Sequence, residues 1–339
     1  VIRTIRDSSA LYASLLAGAM DVVGERSLPA ELFMQLRDQW AQNGGGTVAS
    51  RQYNWRYLQV QMGLDWARPV ELAQDARLRR GLLEGVDRDA LREFLYPGFP
   101  DTSGDTFMLK DDERSQLVGR PFAEFRYDPA RALADLAEAG WNRAADGRLL
   151  GRDGQQVQLE VRGSATDKNA VAFDADAWRR LGVDATEAIT TGLNNENPEY
   201  RSTFPGVEST ARGVGSAIFS NFDGRLQSLA SNRWTAANRQ HYSNATLDSL
   251  VDRIYASLDP NEQGLILKQA GEILATEWPA LPQYFVIEFA ASVKGVRAIT
   301  DDFVGTLGPG TGPGLIARNA YLWDRSEAVS ALNLETKTG

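Results

Sequence analysis

The chain contains no cysteine and a single histidine among 339 residues. Without cysteine there are no disulfides, thiolate metal sites or thiol nucleophiles, and one imidazole cannot build a His/Cys metal centre. That residue, His241, lies beside Tyr242 in a polar stretch with no nucleophile motif, so a Ser-His-Asp arrangement has no support. No run approaches the roughly 18 apolar residues of a membrane-spanning helix. Basic residues are the scarcer charge, 36 Lys and Arg against 45 Asp and Glu, for a net charge of -9. An excess of acid repels phosphate backbones and anionic membrane surfaces, which disfavours nucleic acid as a partner. Val1 to Asp7 alternate apolar and charged residues and carry no signal-like n-region or h-region, so a signal segment is expected outside this sequence.

What is present is enough apolar residue, 43%, to bury a large core, in a chain above the usual single-domain length, so two lobes are expected. The opening, Val1 to Arg6, reads as a strand that begins with no preceding turn, as if cut from something longer. A helix follows with Asp7 or Ser8 as N-cap, Leu11, Leu15 and Leu16 inward and Gly18 near its end. Asp21 to Val23 reads as a strand, and Pro29 to Ala41 as a helix stopped at Gly44-Gly45-Gly46. From Gln52 to Met62 an alternating strand places Tyr53, Trp55 and Tyr57 on one face. The spacing predicts a helix over Ala76 to Phe94, loop from Pro97 to Gly104, and a helix from Tyr127 to Trp141 with Asp128 as N-cap, Pro129 at N1 and Gly140 as its stop. Asp146-Gly147 and Asp153-Gly154 mark turns before a strand at Val157 to Val161. Val171 to Leu181 reads as a helix, and Gly182-Val183-Asp184 begins another strand.

Thr190 to Gly215 reads as loop, Ala217 to Phe222 as a short strand, and Ala245 to Leu258 and Asp259 to Glu277 as two helices, the second with Pro260 at N1. Gln283 to Val286 and Ala290 to Val293 read as strands. The Gly308 to Gly314 loop lacks the Lys-Ser/Thr of a phosphate loop and reads as a connector, and Ser326 to Gly339 as a polar tail. This is an α/β pattern. Asp111-Asp112-Glu113 has no cation-binding spacing, so no metal ligands and no cofactor are assigned. Aromatic rings accompanied by amides suit a ligand cleft, and Tyr53, Tyr57, Phe219, Trp234 and Tyr242 are candidate ligand-binding residues. Core packing is the alternative for any single ring.

The succession of motifs resembles the family 5 extracellular solute-binding proteins, the peptide-, dipeptide- and nickel-type binding components of ABC importers. The matching segments are "SALYASLLAGAMDVV" (Ser9 to Val23), "ARLRRGLLEGVDRDAL" (Ala76 to Leu91), "RYDPARALADLAEAGW" (Arg126 to Trp141), "NRWTAANRQHYSNATLDSLVDR" (Asn232 to Arg253) and "PALPQYFV" (Pro279 to Val286). The resemblance implies a two-lobed fold of the periplasmic-binding-protein type II kind, with this chain a C-terminal portion lacking the N-terminal part of the first lobe. Residues 1–52 and 298–339 would belong to that incomplete lobe and residues 53–297 to the second.

It also implies an extracytoplasmic, monomeric receptor that captures a peptide or similar small solute without catalysis and delivers it to membrane permease subunits. In peptide-binding members an acid near "FSNFDG" pairs with the ligand's amino group. Here that position is Asn221, with Asp223 two residues on, so a neutral or differently charged solute stays open. So do a carboxylate-dependent hydrolase of glycosidase type and a sensor that signals instead of transporting.

Overall fold

The computed structural model describes residues 3–24, 27–99 and 102–296. The Gly308 to Gly314 loop, the Ser326 to Gly339 tail and the C-terminal part of the expected first lobe lie outside the described residues. Two compact units are present: one comprises the described residues up to Tyr53 and from Ile287 on, the other Asn54–Val286. The strands are β1 (Val22–Val23), β2 (Gly46–Val60), β3 (Asn142–Arg143), β4 (Leu149–Leu150), β5 (Gln158–Ser164), β6 (Asp184–Thr190), β7 (Val207–Arg212) and β8 (Ala280–Val293). The chain leaves the first unit within β2 and returns to it within β8.

In the first unit the helix Ser8–Leu16 begins at Asp7, whose carboxylate accepts the Ala10 amide, and buries Leu11 and Leu15. Residues 3–7, expected to be strand, have no regular structure. The helix Ala30–Asn43 buries Phe33, Leu36 and Trp40 and ends at Gly44, whose φ of 65° is the left-handed conformation that favours glycine. Phe33 stacks on Phe289 of β8 at 5.6 Å, and β1 pairs antiparallel with β8 at Val22↔Ser292.

The second unit is built on a mixed sheet. β2 pairs antiparallel with β7, β7 parallel with β5, and β5 parallel with β6. The helix Lys168–Leu181 makes the crossover that a parallel β5–β6 pair requires. Packed aromatic rings dominate the core: Trp55 lies 5.7 Å from Phe122, Tyr57 5.8 Å from Phe222, and Phe107 5.2 Å edge-on to Phe219. Each such ring removes a large apolar area from water with few rotamers to freeze.

Four further expectations are corrected. The single helix over Ala76 to Phe94 is two, Ala76–Glu84 and Arg88–Leu95, because Asp87 caps the second through the Ala90 amide and breaks the first helix's hydrogen-bond ladder. The loop from Thr190 to Gly215 contains β7 and two short helices. The strand at Ala217 to Phe222 is instead a 3₁₀ segment, Gly215–Asn221, whose Phe219 and Ile218 turn into the core. The two C-terminal strands are one, β8, since Ile287 to Phe289 continue extended between them.

Candidate functional site

Alternate residues of a strand share a face, and paired residues of neighbouring strands lie side by side on it. The β2–β7 register sets Trp55 beside Arg212, Tyr57 beside Thr210 and Gln59 beside Glu208, and the β5–β7 register adds Arg162 beside Glu208. This face of the second unit therefore sets Trp55, Tyr57 and Gln59 of β2 alongside charged residues of its neighbours, Arg212 and Glu208 of β7 and Arg162 of β5.

Glu208 is 5% exposed and Gln59 donates an amide hydrogen bond to its carboxylate. Burial raises its pKa, opposed by the charges of Arg201, Arg212, Arg239 and Arg162. Arg162 is neutralised locally by Glu160 at 2.6 Å and lies 4.1 Å over the Tyr200 ring. Arg212 donates from Nε to the Asn221 amide oxygen at 3.1 Å and from Nη1 to the Ala211 carbonyl at 3.3 Å, both neutral acceptors. Among the described residues, Arg201, Arg212 and Arg239 make no ion pair. The Arg239 Nη1 is buried with no hydrogen bond, and burial together with repulsion from Arg212 and Arg201 pulls that guanidinium's pKa down to about 10. Burial and repulsion by Arg212 also hold Arg201 below its ordinary value, with Glu208 opposing. The Tyr57 hydroxyl is likewise buried and unpartnered, and burial pushes it up to about 12 against the pull of Arg212 and Arg239.

The loop carrying Arg239 is strained. Arg233, Trp234 and His241 have φ of 56°, 60° and 59°, a region costing non-glycine residues about 1–3 kcal/mol each. It is anchored through His241, whose Nδ1 meets the Gln61 amide oxygen at 2.9 Å and whose Nε2 meets the Ser228 carbonyl at 2.8 Å. Trp66 stacks on the imidazole at 4.2 Å, and Trp234 stands edge-on to Trp66 at 5.8 Å. Burial lowers the His241 pKa, with the Ser228 hydrogen bond and Asp65 opposing. Both amide atoms of Gln240 are buried without partners.

The seven residues singled out from sequence take different places. Tyr53 belongs to the first unit, with the Arg51 guanidinium 5.4 Å over its ring. Tyr57 feels the charges of Arg212 and Arg239 at its hydroxyl, but its ring is core. Phe219 is core. Asn221 orients Arg212. Asp223 is occupied by Arg225, at 2.7 Å, and caps the following 3₁₀ turn. Trp234 is half-buried against Trp66. Tyr242 is buried and donates to Glu277 at 2.7 Å. The arginines 162, 201, 212 and 239 were not among the candidates. The available signal was compositional: residues 201–240 hold five arginines and two acids in a chain where acids outnumber bases.

No group of three His, Cys, Asp or Glu side chains suited to a metal ion occurs among the described residues, and none of the described helices is long and apolar enough to cross a membrane.

The sequence family described as bacterial extracellular solute-binding proteins, family 5 Middle, matches residues 1–209. Heme-binding protein A of Haemophilus influenzae is 24% identical over 300 residues, covering 86% of this chain and 49% of its own. NikA from Brucella suis in complex with Fe(III)-EDTA superposes with a TM-score of 0.69 at 19% identity, over 88% of this chain and 58% of that one. The oligopeptide-binding protein of Thermus thermophilus with a pentapeptide gives 0.66 at 20%, over 87% and 52%. The chain thus spans about half the length of the curated relative it matches, and its fold is that of the type II periplasmic binding proteins.

Proposed function

The chain belongs to the family 5 bacterial extracellular solute-binding proteins, and from that membership we propose that it is part of an extracytoplasmic receptor that captures a small solute for an ABC importer. Members of this family are binding proteins, not enzymes. The observation that carries the reading is the match over residues 1–209, which spans the first unit's helices and most of the second unit's sheet. The unit containing the described residues up to Tyr53 and from Ile287 is assigned to an incomplete first lobe, and Asn54–Val286 to the second. The receptor acts as a monomer that hands its solute to permease subunits.

The relatives carry ligands as different as a pentapeptide and an Fe(III)-EDTA chelate, so family membership supports capture without fixing the solute. The Arg201, Arg212 and Arg239 group, with the buried and unpartnered Nη1 of Arg239, supports the second unit as the side that reads it. Binding to the native state raises its thermal midpoint by mass action, by about 2.7 kcal/mol of stability at a hundredfold excess over Kd. A thermal-shift screen against di- to pentapeptides, oligosaccharides, metal chelates and heme tests the reading. A saturable rise with any of these supports it, and a chain whose midpoint none of them moves overturns it.

A further inference from the structure

We propose that the face formed by Arg201, Arg212 and Arg239 around Glu208 recognises an anionic solute bearing two or more carboxylates. The inference rests on the receptor reading and adds the class of ligand.

Charge bookkeeping carries it first. Arg162 is matched by Glu160, which leaves Arg201, Arg212 and Arg239 as unpaired guanidinium groups whose charges act on the single buried carboxylate of Glu208, with Arg212 two pairs along from it on the same face of β7. Elsewhere in the second unit four buried or half-buried arginines have their own acids, Arg56 with Asp167 at 2.8 Å, Arg80 with Asp135 at 2.6 Å, Arg88 with Asp105 at 2.9 Å and Arg114 with Asp112 at 2.6 Å, and buried Arg79, which has none among the described residues, spends its donors on the Leu72 and Glu277 carbonyls. Partly desolvated cations in excess of the nearby carboxylates are costly to hold in a fold, and such groups concentrate at binding sites. The second argument is the hydrogen-bond inventory. Arg239 Nη1 and the Tyr57 hydroxyl are buried donors with no acceptor, and Gln240 adds a buried amide with neither group used. A carboxylate accepts from such donors and matches the planar fork of a guanidinium.

The third argument is Asn221. It holds Arg212 by a hydrogen bond from Nε while its own Nδ2 donates to the Ile218 carbonyl at 2.9 Å, so the arginine is oriented without being neutralised. An acid at the same position would cancel the charge. The Tyr200 ring and the strained loop at 233–241 add rigid walls to the same region.

The test uses citrate and succinate as probes, with neutral tripeptide amides and maltotriose alongside, by calorimetry and thermal shift at low and 0.5 M salt. Citrate is expected to bind more tightly than succinate, and Arg212→Gln and Arg239→Gln to weaken citrate at least tenfold each. Ligand-free Arg239→Gln is expected to melt a few degrees above the wild type, because it removes repulsion, whereas an arginine with a purely structural role would melt lower when replaced. If no carboxylate moves the midpoint, or if Arg239→Gln lowers the ligand-free midpoint, the assignment is overturned. A neutral solute that then binds leaves the receptor reading standing, and silence from these probes together with the peptides, oligosaccharides, metal chelates and heme of the wider screen removes both.

Discussion

Outside the arginine group one carboxyl side chain under electrostatic tension is Asp174, which has no exposed surface. Gln283 donates from Nε2 to both of its carboxylate oxygens, at 2.8 and 2.7 Å, and Arg56 helps, yet burial dominates and pushes its pKa to about 7 from an ordinary 3.8. Because the folded value lies above the unfolded one, the folded state holds the extra proton between about pH 4 and 7. Asp174 therefore favours folding most at acid pH, and that contribution is lost as pH rises towards 7. At about 1.4 kcal/mol per unit the swing has an upper bound of about 4 kcal/mol. Asp174→Asn should flatten the dependence: near wild-type stability at pH 4 and greater stability at pH 8, read by urea unfolding at both. The Gln283 amide oxygen, buried and unpartnered, is available to accept from the new amide. Equal pH slopes in the two proteins would refute the role given to this carboxyl. Such a group is invisible in sequence, since Asp174 reads as one more polar residue on a helix. For the same reason Tyr57 and Asn221 were found through their types while the arginines beside them were not. Residues 162, 201, 212 and 239 come from separate elements, and only the sheet register and the loop closed by His241 bring them together.

At the scale of elements, local signals were legible where a cap or a left-handed glycine writes them into the chain. Asp128 with Pro129, Asp259 with Pro260, and Gly44 and Gly182 all mark helix ends where the structure has them. Gly182 is the most demanding, with φ at 103° and the backbone of Gly147 to Leu149 against the position of a Cβ. Gly182→Ala combines left-handed strain with a backbone clash and should cost more than the 1–3 kcal/mol of strain alone. Asp87→Ala, losing only the N-cap to Ala90, should cost about 1 kcal/mol. Urea unfolding of both variants tests the order, which would be wrong if the cap mattered more than the glycine. β7 was missed because Glu208, Ser209 and Thr210 are buried polar residues in its middle. A strand enclosed on both faces shows no alternation, and one whose buried positions are polar shows no apolar run either. The 3₁₀ segment Gly215–Asn221 misleads in the opposite direction, because its β-prone Ile218 and Phe219 serve the core from a tight turn.

At the scale of the whole molecule, the second unit is one unbroken stretch of chain, whereas the first is assembled from two separate stretches. The main hydrophobic core draws all its members from Trp55 to Phe285 and therefore lies wholly within Asn54–Val286. Cutting at 54 and 286 keeps the β2–β7 pairing from Trp55 to Val60 and the β5–β6 and β5–β7 ladders intact. It also keeps the arginines 162, 201, 212 and 239 with the loop that carries the last of them. A segment with its own core and its own backbone pairing meets the physical requirements for independent folding. The fragment 54–286 should therefore unfold in a single cooperative urea transition, with a near-ultraviolet circular dichroism signal from Trp55, Trp141, Trp178 and Trp278, which are all buried. Because the arginine face is complete within it, the fragment should also bind citrate, and lose that binding on Arg212→Gln as the full chain does. A broad, non-cooperative transition would show that the cut ends of β2 and β8 are needed for the core to set. A cooperative fragment indifferent to citrate, beside a full chain that binds it, would place essential anion contacts outside residues 54–286.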